Sequence, residues 1–377
     1  MPNIAYILCG GRDLQVPSTR ISVLNIMDEL RYYNFNPVIL HESNEYNLKP
    51  NLDGIVERAI NAGIGPSDFV YFENVQGKSA VKSAQEFRKM GAYTIFGNCD
   101  SVAGRADMAE VCDLVIVPST YLKEMYPLHQ QKKTHVAHDG IEHPESHKTE
   151  YSRHYGTAPS PMRAVLITTL SLAQLPGLQK LPDYVHVTVI GAYNHLNRSF
   201  ASKALGGIKN LIANPTKEKL RYYALQLSKA ATPETPQFER IPWDIHTVFG
   251  LLTQYDIGIV PVDLNSNQSK ARLDSAKSKS ANRVTQLMSV GLPVIASPIP
   301  AYLDIITTGD NGFIANSQQD WDTFFESLRD SKTREKIGRA ARDSVLEQYS
   351  QDQQAKKLVD ILNSLSMREI PPITVIS

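Results

Sequence analysis

Through the first 140 residues, short apolar runs alternate with longer stretches whose apolar positions recur at helical spacing. The run IAYILC at 4–9 predicts a strand, 19–33 an amphipathic helix and 36–40 a second strand. Residues 53–62 predict a helix and 69–72 a strand ahead of a polar loop. Over 79–90, Val81, Ala84 and Phe87 mark one apolar helix face, and 93–96 reads as the next strand. Residues 108–111 lead into the apolar strand 114–117, and Ser119 is placed to cap a helix over 120–126. A strand at 134–137 closes the series before the turn His138-Asp139-Gly140. Strands that are apolar on both faces, with helices between them, predict a parallel sheet covered on both sides.

A polar, proline-bearing break at 143–162 interrupts this rhythm, and a second series follows. Strands are expected at 163–168, 185–190 with Gly191 at the end, 210–213, 256–260 and 294–296, and helices at 216–230 and 246–254. Residues 320–350 predict two helices, with Trp321, Phe324, Phe325 and Leu328 on one face, and a last helix over 352–365 precedes the tail. The expected architecture is α/β, with two Rossmann-like parallel-sheet domains facing a cleft. The first domain spans 1–145, a linker 146–162, the second domain 163–350, and a terminal helix and tail 351–377. Such a cleft gathers ligands at the C-terminal ends of the strands.

Composition narrows the possibilities. A chain of 377 residues exceeds one ordinary core. Its 39 basic residues balance 39 acidic ones, so no global field points to nucleic acid and any anion site must be local. Three cysteines, Cys9, Cys99 and Cys112, lack metal-ligand spacing and suit a reducing compartment. The N-terminal apolar run is too short for a signal segment, and no apolar run is long enough to span a bilayer. The expectation is a soluble cytoplasmic protein. YLKEMYPLHQQKK at 121–133 mixes aromatic and basic residues and suits peripheral contact with a membrane's inner face, although a solvated lysine pair explains it equally.

The densest chemistry lies in AKSKSANRVTQLMSVGLPVIASPIPAYLDII, 276–306. A basic, serine-rich loop leads into a short helix, with Ser278 or Ser280 as its expected cap. Gly291-Leu292-Pro293 then ends the helix ahead of an apolar strand. Lys277, Lys279 and Arg283 beside unpaired backbone N–H groups and a positive helix end make a seat for a diphosphate. An ordinary helix–strand unit with a solvated basic edge is the plain alternative.

The order YDIGIVP at 255–261, NRVTQLMSVGLPVIAS at 282–297, GDNGFI at 309–314 and IGRAAR at 337–342 resembles the nucleotide-sugar domain of GT-B glycosyltransferases, most closely family 4. The first half is similar more loosely, through Gly10-Gly11 after the first strand, AEVCDLVIVPS at 109–119 and the turn Asp139-Gly140-Ile141-Glu142. The resemblance implies a metal-independent, retaining transfer of a sugar from a nucleotide-diphosphate donor to a glycan or lipid-linked acceptor. Surface polysaccharide or glycoconjugate assembly would be its setting. One departure stands out. The family's Glu-x7-Glu pair, which holds donor sugar and ribose, falls on Ser278 and Gln286 here. Gln286 retains the capacity to bond a ribose diol, whereas Ser278 is too short to reach sugar hydroxyls.

Apart from Asp320-Trp321-Asp322, whose tryptophan belongs to a predicted apolar helix face, and His143/His147 in the polar break, no acidic or histidine spacing suggests a metal, so charge stabilisation falls to Lys277, Lys279 and Arg283, with Asn282 assisting. Arg283 and Lys279 are the catalytic candidates on this side, and Asp100, after the strand 93–96, is the candidate for orienting the acceptor hydroxyl. Gly10 and Gly11 allow close approach of a phosphate or sugar, and Arg20 offers a second anion or acceptor contact. For these, a tight turn, a surface salt bridge and a turn cap are the competing roles. His138 fits a satisfied turn better than a site. Two further readings stay open: a non-catalytic GT-B partner that holds a nucleotide sugar, and a nucleotide-sugar epimerase on the same architecture.

Overall fold

The computed structural model describes residues 1–14, 16–100, 102, 105–151, 161–168, 172, 175–191 and 237–366. The first sheet contains β1 (Asn3–Leu8), β2 (Asn36–Glu42), β3 (Phe69–Glu73), β4 (Tyr93–Gly97), β5 (Leu114–Val117) and β6 (Thr134–Val136). All pairings are parallel, in the order β2-β1-β3-β4-β5-β6. Alternation along β1 explains the double covering: Ile4, Tyr6 and Leu8 enter one core, while Ala5, Ile7 and Cys9 enter the other.

The second sheet contains β7 (Met162–Ile167), β8 (Val185–Gly191), β9 (Phe238–Pro242), β10 (Ile257–Val260), β11 (Val294–Ala296) and β12 (Phe313–Ile314). Its order is β12-β11-β10-β7-β8-β9, again parallel. Trp321, Phe325 and Leu328 pack on one face beneath the helix Gln318–Ser327, as the apolar stripe predicts. The expected strand 210–213 and helix 216–230 lie outside the described residues.

Three expectations need correction. The helix expected over 19–33 is broken into Pro17–Ser22, a tight 3-10 turn at Leu24–Ile26 and Met27–Tyr32. The break falls at Val23, which is fully buried and leaves helical geometry at φ −127° and ψ −66°. The basic loop before 282 is preceded by a helix, Lys270–Lys277, which buries none of its residues and therefore carries no apolar stripe. Neither serine supplies the expected cap of the helix Asn282–Ser289, because its N-cap position is Ala281. Gly291 does end that helix, at φ +88°, with Leu292 N–H bonding the Leu287 carbonyl as a Schellman turn requires.

Chain segments cross between the two halves. Lys148, in the break after the first sheet, donates to the Thr253 and Tyr255 carbonyls at 3.2 and 2.8 Å, and Tyr151 donates to Gly291 O at 2.6 Å. The last helix, Gln351–Ser366, returns to the first sheet. Its Ala355, Leu358, Leu362 and Leu365 share a core with Ile4, Tyr6 and Leu30. Each such leucine contributes about 1.5–3 kcal/mol of burial, so the helix acts as an apolar strap over the first domain. No helix among the described residues is long and apolar enough to cross a membrane.

Candidate functional site

Strand order locates the site. In the first sheet the order reverses at β1, whose neighbours are β2 and β3, so the crevice opens beyond Leu8 and Glu73. In the second sheet the reversal falls at β7, flanked by β8 and β10. Gly10 and Gly11 follow β1. A Cβ on Gly10 would meet Val16 Cγ2 at 2.7 Å, and one on Gly11 would lie 3.1 Å from Ser43 O, to which Gly11 N–H already donates at 2.7 Å. Close approach by the protein's own turn therefore accounts for both glycines.

The loop from Lys277 to Arg283 carries the cations. Lys279 reaches the first domain and meets Asp100 Oδ1 at 3.0 Å. Lys277 and Arg283 form no ion pair or hydrogen bond of their side chains among the described residues, and both are partly exposed. Asn282 opens the helix, and its buried Nδ2 has no protein partner among the described residues. In the helix's first turn the Asn282 N–H bonds Ser280 Oγ at 3.4 Å and the Val284 N–H bonds the Ala281 carbonyl at 2.8 Å, which leaves the Arg283 N–H beside these cations, an arrangement suited to polyanionic oxygen.

Ser278 and Gln286 take structural positions instead of the expected sugar and ribose contacts. Ser278 is 1% exposed and its hydroxyl turns back to Ser275 O. Gln286 is buried: Oε1 accepts from Glu142 N–H at 3.0 Å and Nε2 donates to Gly140 O at 3.3 Å. Its amide thus clamps the turn that joins the domains. Arg20 is likewise occupied. Nε and Nη2 bond the two Glu142 carboxylate oxygens at 2.7 and 2.9 Å, and its guanidinium lies 5.5 Å from the Trp243 ring centroid. Asn25 adds a 2.7 Å bond to the same carboxylate. The expected anion contact at Arg20 is replaced by a buried ion pair that fixes the junction.

On the first domain's side, Asp100 is held between Lys279 and Arg105 Nη2 at 3.3 Å. Burial would raise its carboxyl, but Lys279 and then Arg105 outweigh this and hold it below the usual aspartate range. Arg105, 7% exposed, also bonds Asn74 and Asn98, and Asn98 Nδ2 donates to Tyr126 OH at 2.6 Å. His138 is a satisfied turn residue, with Nδ1 3.0 Å from Pro118 O and its N–H donating to Gln354. Burial lowers its pKa.

Four residues were not read as site residues. Glu73 and Arg105 carry no spacing signal, and Asp139 and Glu142 stood only in the turn 139–142. Glu73 and Asp139 line one pocket with Asn98 and Cys99. Burial, then repulsion from Asp139, drives the Glu73 carboxyl well above the carboxylate range. Burial also raises Asp139, against a hydrogen bond from Ser280 in the cationic loop. A polar residue directly after a wholly apolar strand, as in FVYFEN, was the signal that could have exposed Glu73.

No protein-family model and no curated protein matches the sequence. Solved structures match it in shape. HepE of Anabaena, solved with UDP and glucose, aligns at TM-score 0.63 and 11% identity over 97% of this chain and 100% of its own. A glycosyltransferase from Rickettsia africae ESF-5 aligns at 0.62 and 14% identity, over 98% of this chain and 99% of its own. Sucrose-phosphate synthase from Thermosynechococcus elongatus aligns at 0.60 and 11% identity, over 97% and 99%. The chain has the two-domain GT-B fold of glycosyltransferases.

Proposed function

We propose that this chain is a glycosyltransferase that moves a sugar from a nucleoside-diphosphate donor to a glycan or lipid-linked acceptor in surface polysaccharide or glycoconjugate assembly. The observation that carries this reading is the cationic turn at the start of the helix Asn282–Ser289. Lys277 and Arg283 have no ion pair among the described residues, and Lys279 already bridges to the opposite wall. When the bond from the anomeric carbon to the diphosphate breaks, its electron pair and negative charge stay on the diphosphate. Arg283, its backbone N–H and Lys277 then neutralise that charge without a metal. Retention of configuration follows the family resemblance. The UDP bound by HepE makes uridine nucleotides the first donors to test. Leu128, 79% exposed, and the exposed Lys132 support the lipid-linked variant through peripheral membrane contact, whereas Lys133 Nζ is held by the Glu110 and Cys112 carbonyls.

A second reading has its own support. Ser278 and Gln286 are built into backbone hydrogen bonds, which suits a partner protein that binds a nucleotide sugar without turning it over. Release of UDP from UDP-glucose, UDP-N-acetylglucosamine and UDP-galactose, with GDP- and ADP-sugars alongside, separates the two. The transferase reading expects slow donor hydrolysis with one of these, weakened in Arg283→Ala. Tight binding with no release from any donor would favour the partner protein.

A further inference from the structure

Beside the cationic turn, on the first domain's wall, lies a pocket lined by Tyr71, Glu73, Asn98, Cys99 and Asp139, with Ile21 and Leu358 as apolar sides. It lies along the carboxyl ends of β3, β4 and β5 and the segment that follows β6. Glu73 is 2% exposed, and its Oε1 is buried with no hydrogen-bond partner among the described residues. Gly97 holds the side chain in place from behind: a Cβ there would fall 2.8 Å from Glu73 Oε2 and 2.6 Å from Tyr71 OH.

We propose that Glu73 binds a hydroxyl of an uncharged ligand in this pocket, which makes the acceptor of the proposed transferase a neutral sugar or polyol end rather than a phosphorylated one. The acceptor role rests on the transferase reading; the pocket and its preference for a neutral hydroxyl do not. The surrounding charges exclude an anion. Asp139 and Asp100 lie around Glu73, while the nearby cation, Arg105, is committed to Asn74, Asn98 and Asp100. Tyr6 and Cys9 from β1, Tyr71 from β3, Cys99 from the loop after β4, and Ser18 from the helix Pro17–Ser22 complete the surroundings. None of these five is cationic. In its protonated form, which burial favours, the carboxyl offers one O–H donor and an acceptor oxygen, the same pair of roles a sugar hydroxyl presents. The cavity, about 40 Å³, admits a terminal hydroxymethyl group and leaves the rest of the ligand outside it.

Three measurements on the full chain decide this. First, infrared difference spectra between wild type and Glu73→Gln at neutral pH should contain a protonated-carboxyl stretch that the variant lacks. Its absence overturns the proposal without any ligand. Second, titration calorimetry with glucose, galactose, N-acetylglucosamine and glycerol, against glucose 6-phosphate and glycerol phosphate, should show binding of at least one neutral probe. That binding should persist in Glu73→Gln and weaken about tenfold or more in Glu73→Ala, the range expected from losing one buried hydrogen bond. Binding of the phosphorylated probes alone, no neutral binding, or wild-type affinity in Glu73→Ala overturns it. Third, raising the pH through the Glu73 titration should weaken neutral-probe binding in wild type and not in Glu73→Gln. UDP affinity, measured in the same samples, should be equal in wild type and Glu73→Ala. If none of UDP, GDP, ADP, CDP and TDP binds either protein, the transferase reading fails while the spectra and sugar titrations still decide the role of Glu73.

Discussion

Two ion pairs sit where the halves of this molecule meet, one within the first domain and braced from the second, the other bridging the two, and they are built for different purposes. Arg20–Glu142 is bidentate, with side chains 10% and 3% exposed, and is braced by Asn25, Gln286 and the face of Trp243. Asp100–Lys279 is a single 3.0 Å contact with side chains 33% and 38% exposed. Removing one member of the first leaves a charge stranded in a low dielectric. Removing one member of the second returns the survivor to water. The first is a fixed joint at the base of the cleft. The second is a contact that a diphosphate entering the cationic turn can displace, because Lys279 belongs to that turn.

The sharpest way to break this comparison is Glu142→Ala. It should cost about 3–5 kcal/mol in urea unfolding, since it leaves Arg20 buried and uncompensated. A loss below about 1 kcal/mol would erase the distinction between the two pairs. The C-terminal strap offers an apolar control. Leu362, fully buried, should cost about 2–5 kcal/mol as Leu362→Ala, without the salt dependence expected of an ion pair. Arg283→Ala should leave stability nearly unchanged and weaken nucleoside-diphosphate binding by about 1.5–3 kcal/mol, one charge-assisted hydrogen bond.

The smallest effect belongs to the exposed pair. Lys279→Ala should change stability by about 0–1 kcal/mol while altering the salt dependence of nucleotide binding. Its pH dependence has a definite sign. Asp100 is held below its ordinary range in the folded protein, so the bridge is fully present above the unfolded aspartate range. Its contribution is lost as pH falls through the depressed folded value. The stability difference between wild type and Asp100→Asn should therefore stay constant near neutrality and vanish on acidification. Glu73 behaves oppositely. Its raised folded pKa imposes no cost below the ordinary glutamate range and a growing one as pH rises above it, so Glu73→Gln should gain relative stability with rising pH.

What the sequence disclosed follows from these same contrasts. β1, β4 and β5 were legible because both faces are buried and the runs are apolar throughout. β9, FERIP, was not, since it lies at the sheet edge with mostly exposed positions and ends in proline. Residues 19–33 read as one amphipathic helix, and only the burial of Val23 beneath β1 reveals the break. The cationic turn was visible because basic residues cluster locally in sequence. The buried joint was not: Arg20 and Glu142 are 122 residues apart, and nothing in the sequence pairs Arg20, read as an anion or acceptor contact, with the Glu142 of the turn 139–142. Gln286 shows the limit of spacing arguments. Its position matches a ribose contact, yet its amide is consumed by Gly140 and Glu142.

The central claim is that the turn from Lys277 to Arg283 holds a nucleoside diphosphate across the cleft. The most direct test is a thermal-shift series with UDP, GDP, ADP, CDP and TDP, with and without Mg²⁺, on wild type and Arg283→Ala. The account predicts that one diphosphate raises the melting temperature without needing the metal, and that Arg283→Ala abolishes the shift. No shift with any nucleotide, or an equal shift in the variant, would contradict it.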